Sequence, residues 1–302
     1  MQNRPPAACP YPASGISAII SAMKTLSLGY SPCPNDTFIF YALVHGKIDT
    51  GELRFSETLL DVETLNRMAL RAELDMTKIS FHAFGHLRED YCMLRAGGAL
   101  GRGCGPLVIS KNEYAMEELR GKKIAIPGKL TTANLLLRLY YADLGLEPSD
   151  MTEMPFHAII EAVAKGEADA GLIIHESRFT YHSYGLKKII DLGEWWEKGT
   201  GLPIPLGGII AKRSFGDSMN KDINSLLRQS VEYAFANRAE PMRYIKHHSQ
   251  ELSDTVIDQH IRLYVNEFSL DMGKEGETAV KELLSMAETA GIIPVSRAGI
   301  FI

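Results

Sequence analysis

The fold is decided by ALRAELDMTKISF (69–81) and AVAKGEADAGLIIH (162–175), two stretches that follow one plan. In each, the end of a helical pattern is followed by an acidic turn, an apolar strand and a polar residue. Few residues are identical, so the stretches agree in topology rather than in sequence. Ser80 ends the first strand and His175 follows the second. Since ligands of open α/β sheets bind beyond the carboxyl ends of the strands, we expect both side chains to face one crevice.

Outward from these stretches, strand-like and helix-like patterns alternate along the chain, which is typical of an α/β protein. Strands are predicted at residues 26–30, 53–57, 76–80, 123–126 and 170–174, with an extended segment at 152–155. Helices are predicted at residues 37–45, 62–72, 131–144, 158–165, 222–237, 241–248, 254–264 and 277–290. The last four are amphipathic, and their spacing favours packing back onto the first part of the chain.

Two Gly/Pro-flanked β-like runs, GCGPLVISK (103–111) and GLPIPLGGIIAK (201–212), predict two extended crossovers. A two-lobed protein needs such crossovers if the chain leaves the first lobe, builds the second and returns. We therefore predict that lobe one comprises residues 23–109 and 209–302, and that lobe two comprises residues 110–208.

Composition and charge argue against several classes of function. The formal net charge is -5 and the basic residues are dispersed, so a nucleic-acid partner is not expected. The cysteines at 9, 33, 92 and 104 form no zinc-binding spacing, so no metal site is predicted and reduced thiols in a cytoplasmic protein are expected. No stretch approaches the roughly 18 apolar residues of a membrane span, so no membrane partner is expected.

The first 22 residues differ from the rest. They carry four prolines, little charge and no amphipathic period. A convincing secretory signal is missing, because the apolar patch Ile16–Ile20 is too short. We predict that residues 1–22 form a disordered leader or an upstream-start extension.

SPCPNDTF (31–38) is the first candidate binding segment. Its two prolines stiffen a turn, and the helix that follows leaves free backbone N–H groups that attract a carboxylate or phosphate. Ser31 and Asn35 are therefore candidate ligand contacts. The alternative, a plain strand-to-helix turn capped by Asn35 or Asp36, stays open at this point.

GKLTTAN (128–134) is the second candidate, because Thr131 and Thr132 place adjacent hydroxyl groups at a helix N-terminus. Capping alone explains one threonine, whereas the second favours contact with a ligand. The spacing is not that of a P-loop.

His175 is the candidate base, because it follows an apolar strand that ends at the expected crevice. Imidazole is near half-protonated around neutral pH, so it can take and return a proton without a metal. Glu176 or a backbone carbonyl could fix its tautomer, and the alternative is a buried structural histidine. By contrast, His260 lies in the C-terminal helices and is expected to be solvated, as are its neighbours His247 and His248.

Several segments together resemble the 1,4-dihydroxy-6-naphthoate synthases, enzymes of the futalosine route to menaquinone. The matching segments are SPCPNDTFIFYAL (31–43), KISFHAF (78–84), TTAN (131–134), GLIIHESRFTY (171–181) and the run from the paired tryptophans to GLPIPLGG (195–208). The resemblance extends from about residue 24 to the C-terminus, and several long motifs match in order.

This resemblance implies a two-lobed, periplasmic-binding-protein-like (type II) fold. It also implies a carbon–carbon lyase that cleaves cyclic dehypoxanthinyl futalosine to 1,4-dihydroxy-6-naphthoate and dihydroxyacetone without a cofactor. His175 then corresponds to the family's catalytic histidine. The substrate contacts correspond to Lys78, Ile79 and Ser80 and to Thr131 and Thr132.

The expected partner is a small-molecule carboxylate substrate, and a homodimer stays open. Two alternatives remain. The first is a chorismate dehydratase of the same pathway and fold, against which the SPCPNDTF and IIHE segments speak. The second is a non-catalytic solute-binding protein, which would need an export signal.

Overall fold

The computed structural model describes residues 23–146, 150–175, 177–249 and 253–302. The predicted leader and Glu176 lie outside the described residues. In chain order the strands are β1 (Lys24–Tyr30), β2 (Leu53–Leu59), β3 (Met76–Ser80), β4 (Tyr91–Met93), β5 (Ala99–Gly101), β6 (Leu107–Ser110), β7 (Lys123–Ile126), β8 (Asp150–Glu153), β9 (Ala170–Ile173), β10 (Lys187–Asp191) and β11 (Ile204–Lys212).

The helices surround these strands. They are α1 (Pro34–Val44), α2 (Val62–Leu70), α3 (Phe81–Gly85), α4 (Thr132–Asp143), α5 (Phe156–Lys165), α6 (Ser177–Thr180), α7 (Leu192–Thr200), α8 (Gly216–Ala236), α9 (Met242–His248), α10 (Asp254–Tyr264), α11 (Glu267–Leu270) and α12 (Gly273–Thr289). Within the described ranges, no helix is long and apolar enough to cross a membrane.

The strands form two sheets of the same design. The first has the order β2-β1-β3-β11-β4, with β5 paired to β11, and the second has the order β10-β6-β9-β7-β8. In the first, β1 runs parallel to β2 and β3, and β11 is antiparallel to β3. In the second, β7 runs parallel to β8 and β9, and β6 is antiparallel to β9. Each sheet thus joins three parallel strands to an antiparallel strand from one of the predicted crossover segments.

The chain passes from the first sheet to the second between residues 101 and 107, and returns between residues 191 and 204. The predicted lobe limits at 109/110 and 208/209 therefore cut through β6 and β11, each of which pairs as a whole strand within one sheet. A hydrophobic pattern marks a strand but does not say with which sheet the strand pairs. The division into lobes stays a prediction.

Helix α1 fixes the position of the SPCPNDTF segment. Pro34 occupies its first turn, where a missing N–H and a fixed φ are tolerated, so the helix begins three residues before the predicted start at Thr37. All but the last residue of α1 are buried. Ser230 of α8 binds α1 through two hydrogen bonds: its Oγ donates to Ile39 O (2.7 Å) and accepts from Leu43 N (3.0 Å). The N-terminus of α1 is consequently held beside the ends of β1 and β3.

Candidate active site

One cavity lies where β1, β3 and β9 end, with an empty volume of about 650 Å³ including its mouth. We call it the inner cavity. It brings together every predicted site residue except Thr131: His175, Ser31, Asn35, Lys78, Ile79, Ser80 and Thr132. The crevice expected at the carboxyl ends of the strands is therefore present.

A second, outer cavity of about 1270 Å³ adjoins the first. The two share Ser31, Val62, Ile174 and His175 in their linings. His175 accordingly stands at the junction, where it can reach a ligand that extends from one space into the other.

His175 adopts a left-handed backbone conformation, with φ at +55°. For a residue other than glycine, such strain costs of order 1–3 kcal/mol and is found mainly where function requires it. The ring is half-buried and meets Phe156 at 5.3 Å, His260 at 5.8 Å and Tyr264 at 6.3 Å between centroids. A half-buried imidazole on a strained backbone at a cavity junction favours the catalytic interpretation over a structural one.

His260 contradicts its prediction, because it is fully buried rather than solvated. Its Nε2 lies 2.9 Å from Oδ1 of Asn35. Burial, and then the nearby charge of His175, hold the pKa of His260 well below its usual value. The signal that could have found it is the buried stripe of α10, on which His260 lies between Ile257 and Tyr264 at helical spacing.

Asp36 and Lys78 form a buried ion pair in the inner cavity, with Nζ and Oδ1 3.2 Å apart. The predicted helix cap by Asn35 or Asp36 is wrong. Cys33 is the N-cap residue of α1, without a side-chain bond, and Asp36 instead accepts from Ser31 N (3.1 Å) and Ser31 Oγ (2.7 Å). The Asp36 carboxylate thus fixes the Ser31 turn and balances the charge of Lys78.

Ser80 is oriented by Asn66, a residue that the sequence prediction missed. Oδ1 of Asn66 accepts from Ser80 N (3.0 Å), and its Nδ2 donates to Ser80 Oγ (3.1 Å). Because Ser80 Oγ accepts this bond, it keeps its own proton to donate into the cavity. The missed signal is a polar residue on an apolar face, since Asn66 shares its side of α2 with Val62 and Leu65.

The two threonine hydroxyl groups already hydrogen-bond within the protein, and their predicted contact with a ligand stays a prediction. Thr131 is the N-cap of α4: its Oγ1 accepts from Asn134 N (3.2 Å) and donates to Gly128 O (2.8 Å). Oγ1 of Thr132 accepts from Phe81 N (2.8 Å) and donates to Leu206 O (2.5 Å).

The N-terminus of α4 still offers an anion-binding surface. Thr132 and Ala133 are its first two residues, and both line the inner cavity. The first backbone N–H groups of a helix have no acceptor within the helix, and the helix dipole favours a negative charge there. A carboxylate is the ligand that this part of the cavity suits.

Cys104 lines the inner cavity, and burial raises the pKa of its thiol to about 12. A thiol with this pKa is protonated at neutral pH and is therefore a poor nucleophile. Over the described part of the chain, no three His, Cys, Asp or Glu side chains are grouped so that they could hold a metal ion. The polar groups of the cavity suit binding and proton transfer.

Comparison with known proteins gives a family and two named relatives. The family described as "Menaquinone biosynthesis" matches residues 26–289. A protein of Thermus thermophilus named 1,4-dihydroxy-6-naphtoate synthase is 49% identical over 280 residues, which cover 93% of this chain and 100% of the relative. A protein of the same name from Streptomyces coelicolor is 47% identical over 273 residues, covering 89% and 95% of the two chains.

Solved structures agree with the fold. A protein of Archaeoglobus fulgidus is 39% identical and superposes with a TM-score of 0.82, covering 89% of this chain and 98% of that one. The alkanesulfonate-binding protein of Xanthomonas axonopodis reaches a TM-score of 0.68 at 15% identity, covering 93% and 97%. At that identity the likeness concerns the fold alone. The predicted periplasmic-binding-protein-like α/β fold is confirmed.

Proposed function

The chain belongs to the menaquinone biosynthesis family, and from this membership we propose that it cleaves cyclic dehypoxanthinyl futalosine to 1,4-dihydroxy-6-naphthoate and dihydroxyacetone. The observation that carries the proposal is the imidazole of His175, which a strained backbone holds at the junction of two cavities. A substrate with an aromatic carboxylate part and a polyhydroxylated part can place one part in each cavity. The bond to be broken then lies beside the base.

The inner cavity is the proposed site of the aromatic carboxylate part. Val62, Ile79 and Leu206 line it, and they suit a flat apolar ring. Ser80 Oγ and the first N–H groups of α4 are proposed to hold the carboxylate. Lys78 attracts the carboxylate less strongly than an unpaired lysine would, because the charge of Asp36 balances its own.

His175 is proposed to accept a proton from the bound substrate. The oxygen that loses this proton becomes a ring carbonyl as the carbon–carbon bond breaks, and the electron pair of that bond leaves with the three-carbon fragment. Tautomerisation of the ring ketone to the aromatic dihydroxynaphthoate drives the step. The proton that His175 takes up is returned to the departing three-carbon fragment or to water, so protons balance without a redox partner. A positioned base of this kind typically accelerates a reaction by about 10²–10⁴-fold.

Product analysis tests this function. Purified protein is incubated with cyclic dehypoxanthinyl futalosine, without added cofactor, and the mixture is separated by chromatography and examined by mass spectrometry. We expect dihydroxynaphthoate and dihydroxyacetone in equal amounts. Binding without product would support the solute-binding alternative, and conversion of chorismate instead would support the dehydratase.

The cytoplasm is the proposed location, and a homodimer stays an open prediction.

A further inference from the structure

We propose that His260 is a positioning residue for His175, and that Asn35 fixes the orientation of His260. The inference rests on the proposed function, because it assigns a partner to the base of that reaction. Neither residue needs to react with the substrate: His260 acts through the ring of His175, against which it packs.

A chain of hydrogen bonds fixes the polarity of His260. Oδ1 of Asp36, paired with Lys78, accepts from Nδ2 of Asn35 (2.8 Å). The amide of Asn35 must therefore present its oxygen to His260, whose Nε2 lies 2.9 Å away. Since an amide oxygen only accepts, Nε2 of His260 carries the proton and its neutral form has one defined tautomer.

The rings of His260 and His175 come from different parts of the chain. His260 lies on α10, which packs with the first sheet's helices, whereas His175 follows β9 of the second sheet. Their planes differ by 18° at 5.8 Å, and Tyr264 packs on His260 at 4.7 Å. Phe156 also packs against His175, edge to face at 5.3 Å, and these contacts together set the plane of the base at the cavity junction.

The charge state of His260 also matters for the base. Burial keeps His260 uncharged, so His175 can take up a proton without facing a second cation. A neutral but polar ring then stabilises the imidazolium better than an apolar ring would. The described titratable side chains that line the same two cavities are Cys33, Asp36, Asp61, Glu63, Arg67, Lys78, Cys104, Glu153, His157 and Tyr264.

The test compares His260→Phe, which keeps an aromatic ring, with Asn35→Leu and the double variant. We expect His260→Phe to lower kcat by about 10- to 100-fold, the effect of a small misplacement of a base, while KM changes little. The kcat of the double variant should be no lower than that of the slower single variant, because both substitutions disrupt the same chain of contacts from Asn35 through His260 to His175. Tyr91→Phe, which also keeps an aromatic ring but removes a buried hydrogen bond to Leu74 O outside both cavity linings, is the control and should keep kcat.

A pH profile separates positioning from a general loss of stability. In His260→Phe, the acid limb of kcat/KM should move to lower pH by about half a unit, because an apolar neighbour disfavours the imidazolium. Unchanged kcat, additive losses in the double variant or an unmoved acid limb would each overturn the inference. If the unaltered protein forms no product, the proposed function fails. NMR titration of His175 then tests, without any activity assay, whether His260 influences His175. A lower pKa of His175 in His260→Phe supports it, and an equal pKa overturns it.

Discussion

The hydroxyl group of Thr132 joins three segments of the chain at once. It accepts a hydrogen bond from the backbone N–H of Phe81, which follows β3, and it donates one to the backbone oxygen of Leu206 in β11. In Thr132→Val, Phe81 N and Leu206 O lose their partner, and the free energy of unfolding should fall by roughly 2–4 kcal/mol. Urea denaturation measures the change. Thr132→Ser keeps the hydroxyl and should lose much less; equal stability of the valine variant and the unaltered protein would contradict this account.

Buried His82 should make the free energy of unfolding depend on pH. Burial, and then repulsion from His86, lower the pKa of His82 to about 4, whereas an unfolded histidine titrates near 6.5. Above pH 6.5 both states are neutral. As the pH falls from 6.5 to 4, the unfolded chain binds a proton that the folded chain does not, so the free energy of unfolding falls by roughly 3 kcal/mol from this group.

Urea denaturation at several pH values between 7 and 4.5 measures how steeply the free energy of unfolding falls with pH. His82→Asn keeps a donor near Thr131 O but cannot titrate, so its unfolding free energy should fall less steeply. Some slope should remain, because the pKa of buried His260 is lowered in the same direction. Identical slopes in the variant and the unaltered protein would show that His82 is not the source.

Single residues could be predicted from the sequence where a pattern fixed their position along a strand. His175 and Ser80 were placed correctly in the cavity because both adjoin strand ends. The partners of a side chain were not predictable, since they come from distant segments: Thr132 bonds with Leu206, and Asn35 with His260. The left-handed backbone of His175 had no sequence signal either, because the residue is not glycine.

At the scale of elements, two glycines allow a close crossing next to the site. A Cβ built on Gly105 would lie 2.3 Å from the Cα of Gly193, so the segment before β6 passes directly over the start of α7. Gly105→Ala must push this backbone apart, and we expect a loss of about 1–3 kcal/mol, typical of overpacking. Because Gly105 also lines the inner cavity, kcat should fall as well.

Thermal unfolding with turnover assays measures both effects. Gly199→Ala is the control, because Gly199 lies in α7, the helix that the Gly105 segment crosses, has open space around its Cβ position and needs no positive φ. Alanine there should stabilise the helix by up to about 1 kcal/mol. A Gly105→Ala variant as stable and active as the unaltered protein would rule out the tight crossing.

Elements were predicted well in their buried parts and poorly at their polar ends. Strand β3, strand β7 and helix α10 match their predicted bounds. Helices α8 and α12 begin earlier than predicted, at Gly216 and Gly273, because their first turns are polar and show no apolar period. An amphipathic pattern reveals only the turns that face the core.

At the scale of the whole molecule, the repeated plan of 69–81 and 162–175 is reflected in two sheets of matching design. Contacts between the elements of the first sheet and those of the second also occur at the rim of the outer cavity. Arg67 of α2 pairs with Glu153 of β8 at 2.8 Å, and Glu63 accepts from Leu130 N at 3.1 Å. The strand pairing that closes each sheet was not predictable, because a one-dimensional pattern does not encode the partner of a crossover strand.

We propose His175 as the base of a carbon–carbon bond cleavage. The most direct test is the turnover of cyclic dehypoxanthinyl futalosine by the unaltered protein, by His175→Ala and by His247→Ala, whose histidine is exposed on α9. We expect turnover by His175→Ala to fall by about 10²–10⁴-fold while its thermal unfolding and that of His247→Ala stay close to the unaltered protein. Turnover by His175→Ala equal to that of His247→Ala would contradict the account.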